Sequence, residues 1–571
     1  MKKNLLILCC LAIFAKPLSG QTTVNLSEAG SLASHIGDES KYQITSLKVT
    51  GPINGTDILF LRGMAGIDAD NAPTDGKLAV LDLSGASIVA GGDAYYTNYL
   101  TNQEDNTIDN VFGDRFFYGC TGLTSVTVPT SVTAIGDSAF MNCTNLESVT
   151  LPSTVTSIGK YAFSTTNMKS FDLSGFTSIS EGIFEDCTNL NSVILPENCE
   201  EIPDNAFAGT ALKQIDLPLT VAKIGEGAFS GSLLKKIHFP SAMRYLGNMA
   251  FWSCDSLLEA DLNEGLVHIG NMAFSSCNKL SKIYIPNSVT ELEGCCSTCE
   301  NLTEAHLPES LDTIPSGMFD RCDNLQIVNV PENLKYVDEM AFQNDSHLKS
   351  FTFPEGLKGI GRSGFSGCSS LGEILLPNSV DTIGESCFSW CSSAKRLVLS
   401  TGIKEIPNSA FSYCDSLSEI IIPEGVTTVG DRAFCYTPLV KLTLPSTLTS
   451  IGRWAFAGTK LVTLYNFATT PATCGKRAFL FDRGDDEISD DNNGCTLFVP
   501  LGCKETYQGA DGWSDFIITE FDATGLTQVS RENMAKEVSR YNLNGVRVNN
   551  AGRGISIVKL SDGSVRKILV K

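Results

Sequence analysis

Basic charge, histidine and long apolar runs are all scarce in this 571-residue chain. Lys and Arg number 42 against 64 Asp and Glu, so the formal net charge is −22. Nucleic acid is a poor partner for so acidic a chain, because phosphate binding depends on a basic surface. Only five histidines occur, and the G-x-S-x-G, H-E-x-x-H and Walker motifs are missing. The sequence therefore predicts no catalytic residues, no cofactor and no nucleic-acid partner.

The first twenty residues predict a secretory signal. Lys2 and Lys3 precede an apolar run from Leu5 to Ala15, and Leu18-Ser19-Gly20 supplies small residues for cleavage. The run is shorter than the roughly 20 residues that a membrane-spanning helix needs. We expect an exported mature chain without a transmembrane span, beginning near Gln21, either secreted or at the outer cell surface.

A repeat of 21 to 23 residues runs through the middle of the chain. The segment Ile158-Gly159-Lys160-Tyr161-Ala162-Phe163 returns as Ile451-Gly452-Arg453-Trp454-Ala455-Phe456. Cys296 takes the place of the phenylalanine between Phe274 and Phe319. The marker phenylalanines are Phe117, Phe140, Phe163, Phe184, Phe207, Phe229, Phe251, Phe274, Phe319, Phe342, Phe365, Phe388, Phe411, Phe434, Phe456 and Phe479. Such a period is typical of a solenoid, in which each unit buries its apolar face against its neighbours.

Each repeat predicts one short strand and one turn. In Leu146-x-x-Val149-x-Leu151-Pro152, alternate side chains point inward, and the proline ends the strand. Gly159 permits a turn, and Ala162-Phe163 starts a short helical or 3₁₀ turn.

The frame L-x-x-I-x-L-P-x-S-V-T-x-I-G-x-x-A-F-x-x-C resembles the repeat of the BspA-like bacterial surface proteins, from about Ile108 to Pro500. The resemblance implies a right-handed leucine-rich-repeat solenoid. It also implies adhesion to a protein or glycan on host or neighbouring bacterial surfaces, and we expect a monomer. The alternatives are a glycan-binding or envelope structural protein and a solenoid polysaccharide-degrading enzyme.

Five regions follow from these patterns: a signal peptide at 1–20, an N-terminal α/β cap at 21–105, about 17 solenoid coils at 106–480, a C-terminal cap with an acidic insertion at 481–522 and a β tail at 523–571. The predicted N-terminal elements are helices at Ser27–Ile36 and Asp57–Met64 and strands at Ile44–Val49 and Leu78–Ser84. Trp513, Phe516 and Ile518 offer bulky side chains for the final coil. The tail carries Tyr541-x-Leu543-x-Gly545-x-x-Val548 and resembles sorting tails of exported proteins, although a further β cap is the alternative.

Cysteine recurs three residues after the marker in ten coils, and Thr or Ser takes this slot in several others. A position that accepts Cys, Thr or Ser suits a small, weakly polar buried group. Mostly reduced thiols are expected, with Cys495 and Cys503 as the best candidates for a disulfide. Cys296-x-x-Cys299 lacks a second pair, so no metal site is predicted.

We call the position of the strand-ending proline in each repeat the proline slot. The residue two positions before it points outward from the predicted sheet. We call Leu375, Val398 and Ile421 the apolar stripe, because they place apolar groups where water is expected. We call Asp216, His238, Asp261, Tyr284 and His306 the polar ladder. Both are candidate partner surfaces, although a solvated sheet face is the simpler interpretation of the polar ladder.

Arg483-Gly484-Asp485 in the acidic insertion matches a short integrin-binding signal. Three-residue matches arise readily by chance, so this motif is a weak candidate.

Overall fold

The computed structural model describes residues 20–68, 70–98, 103–482, 488–489, 494–523, 537–541, 554–560 and 565–570. The chain divides into two compact units. The first comprises Met1–Pro196 and Asn205–Ala211, and the second comprises Glu197–Asp204 and Leu212–Lys571. Each unit contains stacked short parallel strands and little helix, which confirms the predicted solenoid class.

The first unit begins with helices and longer strands. Asn54 caps the second helix by accepting a hydrogen bond from Thr56 N at 3.1 Å, and Asp57 accepts one from Asn54 N at 3.0 Å. The helices are Leu32–Ile36 and Gly55–Met64; the strands are Thr22–Asn25, Ser46–Ile53, Val80–Ile88, Tyr96–Asn98, Gln103–Asp105, Ser125–Thr127, Ala134–Ile135, Ser148–Thr150, Ser157–Ile158, Ser170–Asp172 and Ser192–Ile194. The elements predicted before residue 105 therefore occur, with bounds shifted by a few residues.

The second unit carries two strands in most of its coils. The first strand of a coil precedes the proline slot: Lys236–His238, Glu259–Asp261, Lys282–Tyr284, Glu304–His306, Ile327–Val328, Glu373–Leu375, Arg396–Val398, Glu419–Ile421, Lys441–Leu444, Thr463–Asn466, Thr496–Pro500 and Ile517–Phe521. The second strand precedes the glycine slot: Glu201–Ile202, Lys223–Ile224, Tyr245–Leu246, His268–Ile269, Glu291–Leu292, Thr313–Ile314, Tyr336–Val337, Gly359–Ile360, Thr382–Ile383, Glu405–Ile406, Thr428–Val429, Ser450–Ile451 and Thr473–Cys474. This second ladder lies just before the predicted turn, in a segment for which the sequence predicted no strand.

Equivalent residues of successive coils lie side by side. Lys236 pairs with Glu259 and His238 pairs with Asp261 in one parallel register, and Tyr245 pairs with His268 in the second ladder. Because the pairing repeats one coil at a time, a position in the repeat becomes a column on the surface or in the core.

The marker phenylalanines form columns of stacked rings in the core. Phe251 lies between Phe229 and Phe274, with centroid separations of 5.3 and 5.4 Å and interplanar angles of 8° and 2°. All three side chains are fully buried. In the first unit, Phe140 and Phe163 stack at 5.5 Å. Burial of these large rings supplies the apolar area that the short strands alone lack.

The segment around each marker is a run of turns rather than a helix, and the described coils contain no helical segment there. Met249 and Ser253, two residues before and after Phe251, have φ values of 53° and 57°. A right-handed helix requires negative φ throughout, so a left-handed residue on each side of the marker stops it. Their N–H groups instead donate to the next coil, to Asn271 O and Ser275 O, both at 2.9 Å.

Aromatic residues pack against the last marker phenylalanine of the second unit. The rings of Trp513 and Phe516 each lie 5.3 Å from that of Phe479. Trp513 Nε1 donates to Ala472 O at 2.8 Å, and Tyr507 Oη donates to Ala468 O at 2.8 Å. The remaining elements are the helix Lys504–Gln508, a hairpin of Phe481–Asp482 with Ile488–Ser489, and an antiparallel sheet of Glu537–Tyr541, Gly554–Leu560 and Val565–Val570. None of the described helices has the length and apolarity that a membrane crossing requires.

Candidate binding surface

The outward face of the first-strand ladder carries the candidate residues. Along Lys236–His238 the central Ile237 is buried, whereas the residues on both sides of it are exposed. This alternation follows from the pleat, which sends successive side chains to opposite faces. Residues two positions before the proline slot therefore form an outward column, as the sequence predicted.

The polar ladder divides into separate pairs. His238 Nδ1 lies 3.1 Å from Asp261 Oδ2, and the rings of Tyr284 and His306 stack at 4.4 Å with an interplanar angle of 17°. Asp216 lies outside any strand, and within the described residues no hydrogen bond or ion pair connects it to His238. The five residues therefore do not form one continuous hydrogen-bonded chain.

A carboxylate holds the ring of His306 in place. His306 Nε2 donates to Glu304 Oε1 at 2.7 Å, and Lys282 Nζ lies 2.5 Å from Glu304 Oε2. Hydrogen bonds from His306 and Lys282 lower the pKa of Glu304 to about 2. The group remains ionised at neutral pH, so this end of the ladder presents a fixed, charge-paired surface.

The second-strand ladder carries a similar group that the sequence reading missed. The rings of Tyr245 and His268 stack at 4.4 Å with an angle of 4°, and Lys223 Nζ lies 5.8 Å from the Tyr245 centroid. His268 Nδ1 is 3.1 Å from Glu291 Oε2. In most repeats this residue stands two positions before the recurring glycine, as Tyr245 does before Gly247. A comparison of that position across the repeats would have identified the column.

The apolar stripe lies where the sequence placed it, in an outward column that is only half-buried. Leu375 pairs with Val398, and Ile421 pairs with Thr443. The column continues through Tyr465 to Phe498, whose rings stack at 4.7 Å. This column thus changes from charged to apolar toward the C-terminal coils, whereas the first residue of each strand of the stripe, as in Glu373 and Glu419, stays charged.

The position three residues after each marker, which we call the thiol slot, contributes hydrogen bonds to the core. Cys277 Sγ donates to the carbonyl of Phe251, the marker of the preceding coil, at 3.2 Å. Thr437 Oγ1 instead donates to its own marker, Phe434, at 2.7 Å. Both side chains satisfy a marker carbonyl, which explains why the slot accepts either residue type.

The described cysteines are free thiols, and this corrects the expectation for Cys495 and Cys503. The five-residue strand Thr496–Pro500 separates the two residues. At about 3.3 Å per residue, an extended strand of this length holds its ends farther apart than a disulfide spans.

Cys296 replaces a marker phenylalanine, and its Sγ lies 3.3 Å from that of Cys295. Within the described residues, no three His, Cys, Asp or Glu side chains come together as a metal-binding group.

In one coil, the position three residues after the marker holds an aspartate, which the sequence analysis did not single out. Asp345 stands three residues after Phe342 and is fully buried. Burial raises the pKa of its carboxyl group well above the ordinary value, and the charges of Asp320 and Asp323 add to this shift. The Arg483-Gly484-Asp485 motif, by contrast, lies outside the described residues.

Comparison with known proteins supports the repeat assignment. The family described as "BspA type Leucine rich repeat region" matches in six copies, over residues 110–235, 222–349 and 337–463. No curated protein matches the chain.

Three similar solved structures are leucine-rich-repeat proteins of low identity. A leucine-rich repeat protein from Bacteroides ovatus is 21% identical, with 73% of this chain and 89% of that one covered and a TM-score of 0.37. A leucine rich cell surface protein from Faecalibacterium prausnitzii is 22% identical, with 73% and 93% covered and a TM-score of 0.31. One from Eubacterium ventriosum is 20% identical, with 61% and 89% covered and a TM-score of 0.37.

Proposed function

Because the chain belongs to the BspA-type leucine-rich-repeat proteins, we propose that it is an exported surface or secreted protein that binds a macromolecule through the outward face of its first-strand ladder. Export rests on the charged and apolar pattern of the first twenty residues. The similar protein from Faecalibacterium prausnitzii is described as a cell surface protein, which is consistent with this location.

The apolar stripe is the observation that carries the proposal. Leu375, Val398 and Ile421 keep part of their surface in water, in an outward column that presents His and Asp in the preceding coils. Water-exposed apolar columns are unfavourable in a free protein unless a partner covers them. The stacked pair Tyr465 and Phe498 extends the column, and aromatic residues are enriched at the centres of interfaces.

The polar ladder supplies the second part of the surface. The pairs His238–Asp261 and Tyr284–His306 lie on the same type of column as the stripe. Exposed ion pairs add little affinity but favour one orientation of a partner. Binding is then multivalent, with many modest contacts distributed over several coils. The proposed partners are proteins or glycans on host or neighbouring bacterial surfaces.

A non-enzymatic role is part of the same proposal. His238 and His306 each contact an acidic residue, but they lie on an open sheet face rather than in a pocket that excludes water. Catalysis by acid and base groups depends on such a pocket and on a positioned substrate.

The test compares two triple variants in binding to immobilised fibronectin, fibrinogen, laminin and collagen. Leu375, Val398 and Ile421 are each changed to Thr in the stripe variant, since Thr443 already occupies this column. His238, Asp261 and His306 are each changed to Thr in the ladder variant. We expect the stripe variant to lose about tenfold or more in affinity for a matrix protein that the natural chain binds.

Circular dichroism and thermal unfolding of both variants check that the fold is retained. A stripe variant that stays folded and binds as tightly as the natural chain would contradict the proposal. A loss confined to the ladder variant would move the binding surface to the charged coils.

A further inference from the structure

A second surface lies on the turn side of the same coils. From Phe319 to Phe456, the residue two positions after each marker phenylalanine has a positive φ, and its N–H donates to the next coil, as Trp390 N does to Ser412 O at 2.8 Å. Successive residues at this position therefore form a column, which we call the turn column. In the coils of interest it consists of Asn344, Gly367, Trp390, Tyr413, Tyr436 and Gly458.

Three aromatic rings stack along the turn column. The centroids of Trp390 and Tyr413 are 4.0 Å apart with an interplanar angle of 5°, and those of Tyr413 and Tyr436 are 5.1 Å apart at 17°. The ring of Tyr413 is held between those of Trp390 and Tyr436, and backbone hydrogen bonds fix each of these residues to the next coil. An ordered aromatic surface of this kind binds without a large loss of side-chain entropy.

One end of the stack is closed. A Cβ on Gly458 would lie 2.6 Å from Cδ1 of Tyr436, so the ring of Tyr436 rests directly on the Gly458 backbone. Side chains of the column therefore lean toward the following coil. Asn344 behaves in the same way, since its Oδ1 lies over Gly367.

The other end of the stack is open. Tyr413 covers one face of Trp390, yet Trp390 remains 53% exposed. The preceding position of the column is Gly367, which has no side chain to cover the remaining face of the indole. Coils repeat at about 4.8 Å, so the space beside Trp390 is about one ring thick. Asn344 borders this space with an amide group.

The turn column itself offers neutral side chains to a ligand at the open face. None of the six turn-column residues carries a charge, and Gln343, Ser366, Ser389 and Ser412 stand one position before four of them. None of these side chains offers an ion-pair partner, so recognition at this face depends on ring stacking and on neutral hydrogen bonds. A sugar ring in a chair form has an apolar C–H face that packs against an indole, and its hydroxyl groups bind to amides and hydroxyls.

We propose that Trp390, Gly367 and Asn344 form a subsite for a neutral pyranose unit of a polysaccharide. The sugar ring stacks on the open face of Trp390, in the gap that Gly367 leaves between this indole and the Asn344 amide, and hydrogen-bonds to that amide. This site is separate from the apolar stripe and goes beyond the function proposed above.

The full-length chain is tested by affinity electrophoresis in gels that contain mannan, xylan, dextran or soluble starch. We expect at least one of these neutral polysaccharides to slow the natural protein, and Trp390→Ala to reduce the affinity about tenfold or more. Asn344→Ala should reduce it by a smaller factor. Trp252→Ala is the matched control, since Trp252 is 43% exposed and lies one residue after its marker rather than in the turn column.

The stripe variant described above retains Trp390 and should be slowed like the natural chain, which separates this proposal from the preceding one. Absence of retardation in all four gels would overturn the pyranose site. Equal retardation of the natural chain and Trp390→Ala would overturn it as well. A Trp390→Ala variant that loses only binding to a matrix protein, or only self-association, would assign the stack to a protein contact instead.

Discussion

Asp345 Oδ1 accepts a hydrogen bond from the backbone N–H of Cys322 at 2.9 Å. Within the described residues, Oδ2 of the same carboxyl group is buried without a hydrogen-bond partner. The slot that Asp345 occupies holds a thiol or hydroxyl donor in other coils, and a carboxylate cannot donate. Burial of a charge at this position is unfavourable, so the folded state favours the protonated, neutral acid.

Asp345→Asn is predicted to stabilise the protein at neutral pH by about 1–3 kcal/mol. The pKa of Asp345 is raised on folding, so its proton is bound more tightly in the folded state than in the unfolded one. Its contribution to stability is therefore full below the unfolded pKa of about 4 and is lost as the pH rises toward the folded value. Asparagine removes this loss and keeps an oxygen for Cys322 N–H.

Urea unfolding between pH 4 and 8 measures the effect. The advantage of Asp345→Asn over the natural chain should grow with pH. Asp415→Asn, at an exposed position of another coil, is the control and should not reproduce this trend. An advantage that is constant over this range would show that Asp345 does not hold a proton in the folded protein.

The buried thiols are predicted to be unreactive. Burial raises the pKa of Cys254 and of Cys414 to about 12, against an ordinary value of about 8.5 for a free thiol. Iodoacetamide at pH 8 should leave both residues unmodified in the folded chain and modify them after unfolding in urea, as read by peptide mass spectrometry. The same shifts predict that stability falls as the pH rises above about 8.5, since the folded state retains thiol protons that the unfolded state releases. Rapid labelling of the folded chain would show that the coils open readily.

Removal of one ring from the phenylalanine column is predicted to be costly. Phe251→Ala leaves a cavity between Phe229 and Phe274 and should lower the free energy of unfolding by about 3–5 kcal/mol. Phe251→Leu retains most of the volume and should cost less. Urea unfolding, with hydrogen exchange of Lys236–His238 and Glu259–Asp261, locates the effect in the adjacent coils. A loss below about 1 kcal/mol for Phe251→Ala would show that the column contributes little.

The thiol slot is predicted to accept threonine better than valine. Phe163 O already accepts hydrogen bonds from both Thr166 and Cys187. In a Cys277→Thr variant, Phe274 O should likewise accept the new hydroxyl together with the thiol of Cys299. Cys277→Val provides no donor and should be about 1 kcal/mol less stable than Cys277→Thr. Thermal unfolding of the two variants makes the comparison, and equal stability would contradict the role assigned to the slot.

The sequence was sufficient for the repeat, the marker phenylalanines and the outward columns, because each depends on a position recurring at a fixed spacing. The ladder register makes His238 and Asp261 neighbours, and the contact follows from that register. The second strands, such as Tyr245–Leu246, were missed because two residues are too few for alternation to be visible. A short helical or 3₁₀ turn was predicted at each marker. The left-handed φ at residues such as Met249 was missed, because it leaves no signature in composition.

Features that belong to a single coil were harder to predict. Asp216 fits the outward column in sequence but lies outside any strand, so it gains no ladder partner among the described residues. Asp345 and the Trp390 stack both follow fixed positions of the repeat, and reading those positions down the chain would have identified them. The burial of Asp345 and the open face of Trp390, however, depend on how the neighbouring side chains are oriented, and only the structure provides this orientation.

Photo-crosslinking from the centre of the apolar stripe places a reporter on the proposed binding face itself. A Val398→Cys variant is labelled with a thiol-reactive benzophenone, with which the buried thiols should not react. The labelled chain is then mixed with fibronectin, fibrinogen, laminin or collagen. The account predicts a crosslink to at least one of these proteins from Val398→Cys and none from Ser253→Cys, which lies in a turn. Crosslinks from Ser253→Cys alone, or from neither position, would contradict binding through the sheet face.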